Sequence, residues 1–298
     1  MTRATGDDAL VRSRHDLVVA ALEEDVGEGD WTTLWTIPAT AEARAVIVAK
    51  MPLVVAGTAC VEEVFRQVDP DLTVETEVAD GVDAEVGDVL FRLSGRTHSI
   101  LVGERTALNF LGRLAGIATQ ARRYVAAVEG TGAQVIDTRK TTPGWRLLEK
   151  EAVRAAGAAN HRMGLYDMVL VKDNHADACG GVAAAARAAV TRNDRGIPVE
   201  VEVRSLEELE AVLPVGVDRI LLDNMPPEVL QRAVSRVDEW AGSAQPGAPQ
   251  RPRPELEASG NVTLASVRTV ALTGVDFISV GALTHSAPVA DVSLRMVT

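Results

Sequence analysis

The sequence predicts an α/β protein: a mixed α/β region over about the first 110 residues, then parallel strands wound into an α/β barrel. Two observations predict the barrel. After Gly132, six short β-rich runs alternate with helical or alanine-rich stretches, which is the pattern of βαβ units. Each run also ends on reactive or anion-handling residues, while its apolar body carries few of them. A barrel gathers the carboxyl ends of all its strands on one face, where sites are built. An open doubly wound sheet collects ligands at a switch point, so six contributing ends would be unusual there.

In chain order, "LVVAALEEDVG" reads as helix and "DWTT" follows a glycine-rich turn. "ARAVIVAKMPLVVAG", "DLTVETEV" and "DVLFRLSG" read as strands bounded by turn residues. From Ser99 to Glu129 the pattern is helical, with Leu101, Leu108, Leu111, Leu114 and Ile117 near helical spacing. The six later runs are "AQVIDTRK", "DMVLVKDNH", "VEVEVRS", "RILLDN", "LEASG" and "DFISVGALTHS". Between them, "GGVAAAARAAVTR" and "LEELEAVL" read as helices. The Pro/Gly-rich segment Ala241–Pro254 reads as an exposed loop extension.

Composition narrows the function classes. With 298 residues and 47% apolar content the chain can bury a large core. Aromatics at 3% leave few platforms for stacking bases. The net charge of -12 disfavours nucleic-acid and anionic-membrane partners. That charge is uneven: residues 1–100 carry 19 acids against 8 Lys and Arg, whereas 137–175 carry 5 against 7. A locally basic pocket for a small anion is therefore compatible with an acidic protein. Cys60 and Cys179 are far apart without metal-type spacing, and both read as buried small residues in a reducing cytoplasm. The first residues lack a signal-peptide core and no apolar run reaches membrane-spanning length, so a soluble cytoplasmic protein is expected.

The candidate site lies at the strand ends. "DTRKTTPGWR" places Arg139, Lys140 and Arg146 directly after a buried run, a pattern that suits carboxylate or phosphate better than a solvated surface. "NHRMG" (Asn160–Gly164) reads either as a loop with a hydrogen-bonded histidine or as an anion contact. Lys172 in "VLVKDNH" reads as a partly buried lysine at the barrel mouth, a Schiff-base nucleophile or an anion clamp. Glu202 in "VEVEV" either faces outward with Glu200 or, with Asp223 of "ILLDN", holds Mg²⁺ or sugar hydroxyls. "ASG" and "SVGA", each before a helical stretch, read as backbone cradles for phosphate at Ser259, Gly260 and Gly281.

The motifs "ERTALNFLGRLAGIAT", "DTRKTTPGWRLLEK", "NHRMGLYDMVLVKDNH", "ILLDNM", "EASG" and "VDFISVGALTHSAP" closely resemble the quinolinate phosphoribosyltransferases, also called carboxylating nicotinate-nucleotide pyrophosphorylases. "ALEEDVGEGDWTT" and "VFRQVDPDL" resemble the amino-terminal part of that family. The resemblance implies an N-terminal α/β sandwich over 1–112, an incomplete α/β barrel over 113–285, and a return of 286–298 to the first domain. It implies a homodimer or larger assembly in which a neighbouring subunit helps close each site. The implied reaction joins quinolinate to phosphoribosyl pyrophosphate with Mg²⁺, giving nicotinate mononucleotide, CO₂ and pyrophosphate. By motif, Arg105, Arg139, His161, Arg162 and Lys172 would hold the quinolinate carboxylates, Arg105 coming from the partner subunit. Lys140 would face the pyrophosphate or ribose phosphate, while Glu202 and Asp223 would take the ribose hydroxyls and Mg²⁺. Ser259, Gly260 and Gly281 would receive the 5-phosphate, and Asn174 and His175 belong to the same motifs.

The sequence departs from the family pattern in "AAGAAN" (Ala155–Asn160), where glycines are usual, and at Asn261, where a second glycine is usual. Asn tolerates left-handed backbone angles, so the loop at Asn261 is expected to keep its shape. Other readings are a paralogous transferase acting on a different pyridine acid, and a Schiff-base aldolase acting through Lys172. A non-catalytic protein would be expected to have lost its charged strand ends, and none is lost here.

Overall fold

The computed structural model describes residues 6–243 and 252–297, so most of the Ala241–Pro254 loop lies outside the described residues. Its strands are β1 (Glu42–Ala49), β2 (Leu53–Val54), β3 (Thr73–Thr76), β4 (Asp83–Ala84), β5 (Val89–Arg96), β6 (Gln134–Ile136), β7 (Val169–Val171), β8 (Val199–Val203), β9 (Arg219–Asp223), β10 (Glu255–Ser259), β11 (Phe277–Ser279) and β12 (Val292–Val297). Two compact units group 1–122, 140–157 and 283–298 on one side, and 123–139 with 158–282 on the other.

The first unit is built on a four-stranded antiparallel sheet in the order β12-β1-β5-β3. Ala45, Ile47, Phe91 and Leu93 supply its buried face. The short helix Trp31–Thr36 starts where the Asp30 carboxylate accepts the Thr33 N–H at 3.1 Å. A helix at Thr58–Val68, absent from the predicted elements, buries Val61, Val64 and Phe65 at helical spacing. The predicted helix near Ser99–Glu129 runs from Thr97 to Val128. At Gly116 it passes so close to the Pro288 backbone that a Cβ would collide with the carbonyl.

In the second unit the six predicted runs all form strands, and the sheet is parallel throughout in the order β6-β11-β10-β9-β8-β7. The first strand lies beside the last, as in a closed barrel, and the ring is open only between β6 and β7. This is the incomplete α/β barrel. The departure "AAGAAN" is accommodated there: Ala159 bridges Ile136 in parallel, and Ala158 is buried. Ser205 caps the helix Leu206–Val212 by accepting the Glu208 N–H at 3.2 Å, and Pro227 opens the helix Pro227–Gly242.

One expectation for the cysteines is corrected. Cys60 is buried, and burial pushes its thiol up to about 12, but Cys179 is exposed at the end of the helix Asp173–Ala178. The surface position follows from the two glycines after it, which turn the chain at positive φ. Among the described residues, no helix is long and apolar enough to cross a membrane.

Candidate active site

The segment after β6 is organised by Asp137, which is fully buried. Its carboxylate accepts the Asn160 side-chain amide at 2.7 Å and the His161 N–H at 2.9 Å. That pair of bonds places "NHR" beside the end of β6, where Arg139 sits half-buried. The Nε of Arg139 is buried without a hydrogen bond. Arg162 is buried, donates from Nη1 to the Met168 carbonyl at 3.1 Å, and has its cation disfavoured first by burial and then by the Arg139 charge. Two neighbouring guanidiniums with donors to spare form a strong electrostatic demand for an anion.

Lys172 ends β7 and is half exposed, with its Nζ 3.1 Å from Glu202 Oε2. It is therefore less buried than expected, because it lies at the open rim and reaches an acid on β8. An ion-paired, half-exposed lysine suits charge clamping better than Schiff-base chemistry, which needs a desolvated amine. His175 turns its ring back to accept the Lys172 N–H at 2.9 Å, which closes the turn after β7, and Asn174 is exposed beside it. The C-terminal ends of β8 and β9 bring Glu202 and Asp223 to adjacent strands, both partly exposed. Asp223 accepts the Asn224 side-chain amide at 2.8 Å.

Ser259 ends β10 opposite Asp223. Gly260 follows at φ 102, and a Cβ there would collide with the Asn224 side chain. Asn224 and Asn261 both take φ 52, so Asn261 does adopt the left-handed angle expected of it. The Asn224 N–H donates to the Ser259 carbonyl at 2.8 Å, and the Asn261 amide donates to Asn224 Oδ1 at 3.0 Å. Gly281 lies two residues beyond β11, at the same edge of the sheet. The second unit thus brings Arg139, His161, Arg162, Lys172, Glu202, Asp223, Ser259, Gly260 and Gly281 to its strand ends.

Arg105 and Lys140 belong to the first unit. Arg105 is exposed on the helix Thr97–Val128, without a hydrogen bond among the described residues. Lys140 is exposed, and its carbonyl accepts the Thr284 hydroxyl at 2.8 Å. The next residues are tied to a fully buried Glu149, which accepts Thr142 N–H at 3.1 Å and Thr142 Oγ1–H at 2.8 Å and pairs with Arg113 at 2.8 Å.

Sequence reasoning missed the most unusual groups of the second unit. Glu200 and Glu257 are both fully buried, and His161 stands between them with Nε2 at 3.1 Å from Glu200 Oε2 and 3.4 Å from Glu257 Oε2. Burial and then the Glu200 charge raise the Glu257 carboxyl to about 8, and burial raises Glu200 as well. The available signal was parity. Residues 200 and 202 share one face of a strand, so a Glu202 at the site carries Glu200 inside with it rather than outward.

Known proteins resemble the chain over nearly its whole length. The family profile of the quinolinate phosphoribosyl transferase C-terminal domain matches residues 117–295, and that of the N-terminal domain matches 30–115. A quinolinate phosphoribosyltransferase [decarboxylating] of Nicotiana glauca is 41% identical over 294 residues, covering 95% of this chain and 82% of that protein. A probable nicotinate-nucleotide pyrophosphorylase [carboxylating] of Synechocystis sp. is 38% identical, covering 93% and 90%. The structure of the nicotinate-nucleotide pyrophosphorylase from Francisella tularensis superposes with a TM-score of 0.87 at 33% identity, covering 99% of this chain and 98% of that one.

Proposed function

The chain belongs to the quinolinate phosphoribosyltransferase family, and from that premise we infer that it makes nicotinate mononucleotide from quinolinate and phosphoribosyl pyrophosphate, releasing CO₂ and pyrophosphate in NAD biosynthesis. The observation that carries this reading is the sorting of charge at the strand ends of the second unit. Cations gather on β6, β7 and the loop between them, acids on β8 and β9, and a glycine-bearing turn on β10.

Arg139, Arg162 and Lys172 immobilise the two ring carboxylates, with Arg105 added by its motif, and so aim the pyridine nitrogen at the anomeric carbon of the sugar. Orientation of this kind supplies a large share of the acceleration. The nitrogen forms a bond to that carbon as the bond to pyrophosphate breaks, its electron pair leaving with pyrophosphate, the group to which the motif assigns Lys140. Positive charge grows on the ribose, and the carboxylates of Glu202 and Asp223 stabilise it while holding the hydroxyls. When the adjacent carboxylate then departs as CO₂, its bonding pair stays on the ring carbon, where the positive charge of the quaternised nitrogen stabilises it until a proton adds to that carbon. Ser259, Gly260 and Gly281 offer backbone groups to the 5-phosphate.

Mg²⁺ fits the oxygen-only donors of Glu202 and Asp223, which stand part-exposed on adjacent strands. It would be held there and would neutralise charge on the diphosphate. The working unit is a cytoplasmic homodimer or larger assembly in which Arg105 serves a neighbouring subunit. The exposed apolar Trp35, 80% accessible, gives a second copy something to cover.

Incubation with phosphoribosyl pyrophosphate, Mg²⁺ and either quinolinate or nicotinate, following CO₂ and mononucleotide, tests the reaction. Product from quinolinate alone is expected, and product from nicotinate without CO₂ would move the chain to a related acid. Mixing inactive Arg105→Ala and Lys172→Ala proteins tests the sharing: recovered activity places Arg105 in trans, and none places it in cis.

A further inference from the structure

Three ionisable side chains, Glu200 on β8, Glu257 on β10 and His161 before β7, are buried together inside the second unit. Burying such groups is costly, and aliphatic residues of similar size would fill the same space at lower cost. Both oxygens of Glu200 and one of Glu257 lack a hydrogen bond among the described residues. A fold that needed only packing would not keep them.

The histidine shows what they act on. Its Nδ1 accepts the Arg162 N–H at 2.7 Å, so Nδ1 carries no proton and the ring hydrogen sits on Nε2. That hydrogen lies among the two carboxylates, at the 3.1 and 3.4 Å separations given above. A divalent ion bound by the triad would need the Nε2 lone pair, and with Nδ1 already accepting, the ring would have to give up both protons. The tautomer therefore argues against a metal centre, although His161, Glu200 and Glu257 are the one group of three such ligands in close range among the described residues.

We propose that Glu200 and Glu257 are positioning residues, which fix the His161 ring in the Nε2–H form and through it hold the Arg162 end of the carboxylate clamp. This rests on the reading of the site as a quinolinate site. The Arg162 peptide is held by the ring on one side and the Arg162 guanidinium by the Met168 carbonyl on the other, so the residue that meets the substrate is braced at both ends. Arg219 braces the acids in turn: it bonds Glu255 at 2.8 Å, approaches Glu257 at 3.4 Å, and lies over the Phe277 ring at 3.9 Å. Burial and the neighbouring Glu200 favour the neutral form of Glu257, whose shape a glutamine there would reproduce.

The test is steady-state kinetics on Glu257→Gln, Glu257→Leu and Glu200→Gln, varying each substrate separately. Glu257→Leu is expected to raise the KM for quinolinate on the order of tenfold to a hundredfold, the usual size for a misplaced orienting group, with the KM for phosphoribosyl pyrophosphate within about twofold of the parent. Glu200→Gln is expected to raise it in the same direction, and Glu257→Gln is expected to restore most of the loss seen in Glu257→Leu. A folded Glu257→Leu protein with an unchanged quinolinate KM, or with both KM values raised equally, would overturn the proposal. Should the leucine variant fail to fold, ¹⁵N-histidine NMR of the parent decides, with His161 identified by its loss in His161→Gln. The Nε2–H tautomer is expected, and a ring protonated at Nδ1 or bearing a stoichiometric metal defeats the proposal. Inactivity of the parent with quinolinate would instead indict the functional reading.

Discussion

Glu149 in the first unit and Glu200 in the second are both fully buried carboxylates, and the protein keeps them in opposite ways. Glu149 is satisfied by Arg113 and by both donors of Thr142. Arg113 also donates to the Ala287 carbonyl at 3.2 Å and to the Thr284 carbonyl, so the acid sits at the centre of a structural knot. Glu200 has no aligned hydrogen bond on either oxygen, with His161 Nε2 at 3.1 Å and the Glu257 carboxyl beside it. The first arrangement is what stability alone produces. The second is tolerated only because something other than stability requires it. Burial of charge is thus a poor marker of a site by itself, and the state of satisfaction of the buried charge is the better one.

The largest effect expected from this contrast is at Glu149. Glu149→Ala strips the Arg113 cation of its counter-charge and Thr142 of its acceptor, and should cost about 3–5 kcal/mol in chemical denaturation, as removal of one partner of a buried ion pair does. A loss below about 1 kcal/mol would erase the distinction. Arg139→Ala should do the reverse, leaving the denaturation midpoint in place while weakening quinolinate binding on the order of a hundredfold by calorimetry. A smaller effect separates the two kinds of acid by pH. Glu257 is raised from 4.5 to about 8, so between those values the folded chain keeps a proton that the unfolded chain has released. Stability should fall as pH rises through that window, and Glu257→Gln should flatten the slope.

Glu63 gives the smallest and opposite signal. Burial pushes it up, but bonds from Arg66, Gln67 and His15 prevail and hold it at about 2 instead of 4.5. Its contribution is complete above the ordinary value and disappears as pH falls through 4.5 towards 2. The difference in unfolding free energy between the parent and Glu63→Gln, measured by chemical denaturation, should therefore narrow between pH 6 and pH 3, by an amount on the order of 1 kcal/mol.

The parallel strands were legible because short apolar runs bounded by charge and glycine have few other solutions, and their ends led to Arg139, Lys172 and Asp223. The interior of the ring was not legible in the same way. In "VEVEV" the valines Val199, Val201 and Val203 are all buried, and so is Glu200, because both faces of a barrel strand are covered. Alternation then says that two faces differ without saying which one looks inward. Helix Thr58–Val68 had the right spacing at Val61, Val64 and Phe65, yet it follows Gly57 at φ 93 and a strand pair, where the eye reads turn and strand. Cys179 fell outside the expectation because residue type predicts burial only on average.

The joint made by Asn224, Ser259, Gly260 and Asn261 has a mechanical corollary. Because the tips of β9 and β10 are stitched through one amide side chain and one main-chain bond, they have no freedom to part separately. Displacing either tip therefore displaces the other, through two hydrogen bonds and not across a free loop.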